Sequence, residues 1–167
     1  MNQPVSDIRS RVWTRAEGAA RAAALRAEGK KLVFTNGCFD LLHPGHVLYL
    51  EEAARLGDFL IVGVNTDASV QRLGKSPSRP IQHEEGRALV IASLASVGAV
   101  ILFGEDTPRE LISELLPDVL VKGADYKPED IAGYDIVTGR GGRVATIPFV
   151  EGYSTTALER KIISAHR

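Results

Sequence analysis

The 167 residues carry 20 Lys and Arg against 21 Asp and Glu, a net charge of −1 at pH 7, with 44% hydrophobic and 25% charged residues. That is the composition of an ordinary folded domain, and it argues against disorder, a disulfide scaffold and an overall positive field for nucleic acid. Cys38 is the only cysteine, so no intrachain disulfide forms. With no apolar run near the roughly 18 residues of a membrane span and no signal-peptide order at the start, the expectation is a cytoplasmic protein that binds neither membrane nor nucleic acid.

Residues 6–28 are rich in Ala, Arg and Glu, and Val12, Ala16, Ala19, Ala20, Ala23 and Leu25 keep helical spacing, which predicts a front helix ending near Gly29. It reads as a helical extension over 1–29 that packs on a sheet edge or on a partner subunit, ahead of a main domain over 30–167. Strand and helix then alternate: strand 31–35, helix 44–56, strand 59–64, short helix 67–73, a Gly/Lys/Ser/Pro loop 74–80 and helix 83–96. Strand 99–103 follows, then Thr107-Pro108 as cap and first position of a helix reaching Leu116, strand 118–122, strand 144–148 and a closing helix 155–165. Apolar strands without polar alternation are buried on both faces, and helices between them are crossovers, so the fold class is α/β: a Rossmann-like parallel sheet with helices on both sides. Ligands of such sheets sit beyond the carboxyl ends of the strands, which puts the loop after strand 31–35 at the expected site.

That loop reads Thr-Asn-Gly-Cys-Phe-Asp-Leu-Leu-His-Pro-Gly-His from Thr35 to His46. Pro44 has a preset φ and no amide hydrogen to lose, so it fits the first helical position, with His43 as cap and His46 in the first turn. The amides of that turn and two imidazole donors suit a phosphate, and Gly45 lets it approach the backbone. Such donors stabilise charge on phosphoryl oxygens during in-line displacement without any protein nucleophile. The plainer alternative is a cap plus a solvated side chain. Zinc needs further ligands that the neighbourhood lacks, and Cys38 reads as a small buried residue rather than a catalytic thiol. Neither the P-loop nor the Gly-x-Gly-x-x-Gly pattern is present.

The pattern Gly37-x-Phe39-Asp40-x-x-His43-x-Gly45-His46 resembles the signature of the HxGH nucleotidyltransferase superfamily. Val64-Asn65-Thr66-Asp67, Arg79-Pro80, Glu85-x-Arg87, Val121-Lys122-Gly123-x-Asp125-Tyr126 and Gly152-x-Ser154-Thr155-Thr156 are similar to further family blocks, so the likeness covers 31–163. Glu105-Asp106-Thr107-Pro108, the stretch from Leu116 to Glu129 and Gly141-Gly142 most resemble D-glycero-D-manno-heptose 1-phosphate adenylyltransferases, whose domain is often fused to a sugar kinase; at 167 residues the expectation here is resemblance to the stand-alone form. Gln82-His83-Glu84, Gly86 and an extra residue in Lys75-Ser76-Pro77-Ser78 depart from that pattern around the acceptor loops. Phe149 and Val150 stand where glycerol phosphate cytidylyltransferases carry an arginine, which weakens a CTP reading.

The resemblance implies ATP and heptose 1-phosphate as substrates, Mg²⁺ on the triphosphate, ADP-heptose and pyrophosphate as products, and, by analogy, a homo-oligomer such as a dimer. His43 and His46 would be catalytic, with Lys122 and Arg87 on phosphate. Thr35, Asn36, Gly37, Cys38, Phe39 and Gly45 would line the nucleotide through backbone groups and close approach. Gly123 and Asp125 would lie on the same rim, and Ser154, Thr155 and Thr156 would grip the outer phosphates. Asp40, Asp67, Lys75 and Arg79 would face the acceptor or triphosphate. Capping for Asp40 and Asp67, and surface ion pairing for Lys122 and Asp125, are the plainer readings. A transferase for another small phosphate, or a non-catalytic nucleotide-binding module, are the alternatives.

Overall fold

A computed structural model describes residues 7–74, 78–148 and 150–165. Six parallel strands form one sheet in the order β1-β4-β3-β2-β5-β6, with β1 Val12–Trp13, β2 Leu32–Gly37, β3 Phe59–Asn65, β4 Ala99–Phe103, β5 Val119–Gly123 and β6 Arg143–Ile147. The helices are α1 Arg15–Ala27, α2 Pro44–Ala54, α3 Asp67–Arg72, α4 Glu84–Ala92, α5 Arg109–Leu115, α6 Tyr134–Thr138 and α7 Thr155–Ala165.

Both faces of the sheet are apolar and covered, as parallel strands require. Phe34, Ile61 and Ile101 pack with Ala22 of α1, Leu111, Ile112 and Leu115 of α5, and Val137 of α6. Val33, Val62 and Val100 turn the other way, against Leu50 and Ala53 of α2 and Ala88, Ile91 and Ala92 of α4. Helix α7 buries none of its residues.

The expected front helix is broken by tertiary pairing. Residues Ile8–Arg11 form a 3-10 turn, and Val12 and Trp13 add a strand to the sheet edge beside Val100 and Ile101. Helix α1 starts only at Arg15, where Thr14 and Glu17 form a reciprocal capping box. Val12 and Trp13 thus join the sheet, and Trp13 and Ala22 join its core. At α5, Pro108 occupies the cap position expected for Thr107, without a side-chain cap.

The strand order reverses at β2, whose neighbours are β3 and β5. With β3 the register runs the whole strand, from Leu32↔Phe59 to Gly37↔Val64. With β5 it covers only Val33↔Val119 and Phe34↔Leu120, after which the Thr35 hydroxyl takes over, donating to the Val121 carbonyl at 3.0 Å. The two strands therefore separate toward their carboxyl ends, and a crevice opens at the switch point where α/β sheets bind ligands.

Candidate active site

The loop leaving β2 is shaped by Phe39, a non-glycine residue held at φ 48°, a left-handed conformation that bulky side chains rarely adopt. It folds the Phe39 ring back beneath the turn, where a Cβ on Gly37 would lie 3.0 Å from the ring. Phe39 is buried and meets the His46 ring edge-on at 5.2 Å between centroids, so it backs the imidazole rather than facing a ligand.

His43 caps α2 as the sequence predicts: its Nδ1 accepts from the His46 amide at 3.3 Å. With Nδ1 accepting, the proton of the neutral ring belongs on Nε2. The two imidazoles stack, 3.7 Å between centroids and 16° between planes. Burial, with the neighbouring His43 ring adding to it, pushes His46 down to about 4. The Leu41 backbone pulls weakly the other way, yet His46 Nδ1 is buried without a hydrogen bond of good geometry. Burial also lowers His43. Both rings are therefore neutral N–H donors at pH 7, set at the positive end of a helix where an anion gains from the dipole and the first-turn amides. Gly45 sits in a tight place: a Cβ there would come within 3.0 Å of Tyr153 Cβ and 3.1 Å of His43 Nδ1, so either side chain would have to give by a few tenths of an ångström.

The floor of the crevice belongs to Thr35 and to Tyr49, a residue that sequence reasoning missed. Thr35 is fully buried, its hydroxyl between the Tyr49 hydroxyl at 2.8 Å and the Val121 carbonyl, and its backbone in register with Val62, so it ties strands together instead of lining the nucleotide. Burial pushes Tyr49 up to about 12, with the carboxylate of Asp125 adding to the shift against the Thr35 hydrogen bond. Lys122 lies on the rim, its Nζ 5.5 Å from the Tyr126 ring centroid. Asn36 keeps a buried side-chain oxygen without a partner, while Cys38 Sγ faces the Asn65 side chain at 3.9 Å.

Asp40 and Arg87 bind protein rather than open space. Asp40 is buried, and its carboxylate accepts from the amides of Ile81 (2.9 and 3.0 Å) and Gln82 (3.0 Å), while Gln82 Nε2 returns a bond to the Asp40 carbonyl at 3.0 Å. The Arg87 side chain is 0% exposed. Its donors reach the carbonyls of Gln82 (2.9 Å), Cys38 (2.6 Å) and Asn65 (2.7 Å) and the Asp67 carboxylate (2.8 Å). A phosphate contact from Arg87 is thus corrected to a staple joining the loops after β2 and β3 to the start of α4; an arginine is suited to this because it presents five donors in a fixed fork. Burial pushes the Asp67 carboxyl up, but the hydrogen bonds from Arg87 and His83 outweigh it and hold it below the usual range. Thr66, not Asp67, caps α3.

Arg79 donates through Nη2 to Thr156 Oγ1 at 3.3 Å and to Glu159 at 3.0 Å, so the loop before α4 meets the Ser154–Thr156 motif. Ser154 spends its hydroxyl on the amide of Ala157 at 3.0 Å, capping α7. Gly123 ends β5, its carbonyl accepting from the Tyr126 amide at 3.3 Å. Lys75 lies outside the described residues. Among the described residues no group of three His, Cys, Asp or Glu is placed to hold a metal ion. The Asp40 and Asp67 carboxylates are committed to protein donors.

Together, the stacked histidines, the helix terminus and the adjoining C-terminal motif gather at the switch point of the sheet. The family described as Cytidylyltransferase-like matches residues 34–161. The bifunctional protein HldE of Magnetococcus marinus is 54% identical over 150 residues, 90% of this chain and 30% of that protein, and the HldE of Chromohalobacter salexigens is 59% identical over 140 residues, 84% and 29%. The chain thus spans about 30% of the length of the curated relatives it matches. Among solved structures, the lipopolysaccharide core biosynthesis protein of Thermoplasma volcanium superposes with a TM-score of 0.60 at 30% identity, over 75% of this chain and 100% of that one. A pantoate-beta-alanine ligase from Francisella tularensis, with a TM-score of 0.59 at 12% identity over 93% of this chain and 78% of its own, shares the fold. No helix among the described residues is long and apolar enough to cross a membrane. With the family match extending across most of the chain, this protein belongs to the cytidylyltransferase-like family of nucleotidyltransferases.

Proposed function

We propose that the chain transfers AMP from MgATP to D-glycero-D-manno-heptose 1-phosphate, giving ADP-heptose and pyrophosphate for surface-glycan synthesis. The observation that carries this reading is the stacked, neutral His43–His46 pair at the N-terminus of α2. In the reaction an oxygen of the sugar phosphate attacks the α-phosphorus, a new P–O bond forms, the bond to the β-phosphate oxygen breaks, and its electron pair leaves with pyrophosphate. Nothing on the protein is phosphorylated; the imidazole N–H groups and the amides of the first turn of α2 hold the charge that builds on the α-phosphoryl oxygens. In the same reading Lys122 and Asp125 face the nucleotide across the crevice, and Ser154, Thr155 and Thr156 meet the departing phosphates. Arg79 guides the triphosphate from the loop before α4. Asp40, Asp67 and Arg87 hold the loops that carry these groups. The choice of acceptor is supported by similarity to HldE proteins and to a lipopolysaccharide core biosynthesis protein.

The test mixes the protein with ATP or CTP, Mg²⁺ and a panel of sugar 1-phosphates and glycerol 3-phosphate, and measures pyrophosphate release. Release with ATP and a heptose 1-phosphate, at least tenfold faster than with any other pair, is the expected result. Release only with CTP or only with another acceptor contradicts the substrate assignment, and silence with every pair contradicts the transferase reading.

A further inference from the structure

The segment from Gly152 to Glu159 meets the site at two places that the chemistry above leaves unused. Before α7, Tyr153 lies beside the His-Pro-Gly-His turn: its ring is within 17° of parallel to His43, 6.5 Å between centroids, and its Cβ would lie 3.0 Å from a Cβ placed on Gly45. That separation and tilt belong to offset aromatic contacts. One turn into α7, Glu159 accepts from Arg79 Nη2 at 3.0 Å and from Ser78 Oγ at 3.2 Å. Both partners of the ion pair are largely shielded, with Arg79 11% and Glu159 22% exposed, and the pairing with Arg79 holds the Glu159 carboxyl below its usual range.

These contacts matter because α7 buries no residue. With no fully buried residue to anchor α7, the polar and aromatic contacts at its start carry a larger share of its placement than in the other long helices. Tyr153 precedes Ser154–Thr156, and Glu159 follows Thr156 by three residues, on the same helix face. The three hydroxyl residues are thereby held between the two contacts.

We propose that Tyr153 and Glu159 are positioning residues, a two-point clasp that holds the first turn of α7 against the histidine pair so that Ser154, Thr155 and Thr156 face the outer phosphates of the nucleotide. This rests on the phosphate-facing reading of those three residues. Within the clasp, Arg79 anchors Glu159 through their ion pair and Thr156 through its hydroxyl.

The experiment compares the full chain with Glu159→Ala, Tyr153→Ala, Tyr153→Phe and the double alanine variant. Hydrogen exchange of residues 155–161 is followed without ligand, and KM for ATP and kcat are measured with the acceptor found above. Either single alanine is expected to speed exchange in α7 about tenfold and raise KM for ATP about fivefold, with kcat changed less than about twofold and the thermal midpoint nearly constant. Tyr153→Phe, which keeps the ring, should behave as the parent. The double variant should add little to either single, because one element is released only once. Unchanged exchange in both single variants overturns the clasp, whatever happens to ATP. Faster exchange with unchanged KM supports docking by these residues but overturns the assignment of residues 154–156 to the phosphates. A fall in thermal midpoint with unchanged KM overturns positioning in favour of a purely structural role.

Discussion

A proton on His46 is worse accommodated in the folded chain than in water, because burial and the His43 ring beside it lower the group from 6.5 to about 4. Between those values the unfolded chain binds a proton that the native chain refuses, so this residue's contribution to stability falls as pH drops from 6.5, and the loss is complete below about 4. The denaturation midpoint of the parent should therefore decline across that window more steeply than that of His46→Gln, which cannot take up the proton; equal slopes would mean that the ring is not shifted in the native state. The two histidines were legible in the sequence because Pro44 and Gly45 between them spell a helix start. What Arg87 does was not. Its charge and helical position are visible, but its acceptors are carbonyls at residues 38, 65 and 82, and a backbone carbonyl leaves no mark on a sequence. Tyr49 was missed for a similar reason: an aromatic on an apolar helix face reads as core, and its hydroxyl gains meaning only where β2 and β5 part.

Elements show the same division between local and distant causes. The alternation of strand and helix from Leu32 to Ile147 follows apolar runs and turn residues, and the structure keeps it with ends shifted by a few positions. Strand β1 is two residues long, set within an Ala- and Arg-rich stretch, and exists because Val100 and Ile101 offer it an edge. Helix α6, of five residues, begins at Gly133 with φ 90°, and it is too short for periodicity to register. Between β2, β3 and α4 the loops are fixed chiefly by the Arg87 guanidinium and the Asp40 carboxylate. Arg87→Met should therefore lower the unfolding free energy by about 3–5 kcal/mol, since it leaves buried carbonyls and a carboxylate without their donor. Urea denaturation checks this; a loss under about 1 kcal/mol would mean that water replaces the guanidinium and the staple is dispensable.

At the scale of the whole molecule, the reversal of strand order between β3 and β5 decides where everything else goes. It separates the carboxyl ends of β2 and β5, points the first turn of α2 into the gap, and leaves the C-terminal segment to close it from above the histidines. The fold class could be read from the sequence, because it follows from apolar strands joined by crossover helices. The closure could not, because α7 has little apolar packing to announce its place. In the proposed reaction the imidazole pair acts on the transition state rather than on nucleotide binding alone. The most direct test of that role is the single-turnover rate of AMP transfer at saturating MgATP and heptose 1-phosphate, measured for the parent and for His46→Ala, with the ATP dissociation constant measured alongside. The rate of His46→Ala should be lower by about 10²–10³-fold with the dissociation constant changed by less than about threefold; an unchanged rate, or a loss confined to ATP affinity, would contradict a transition-state role for the pair.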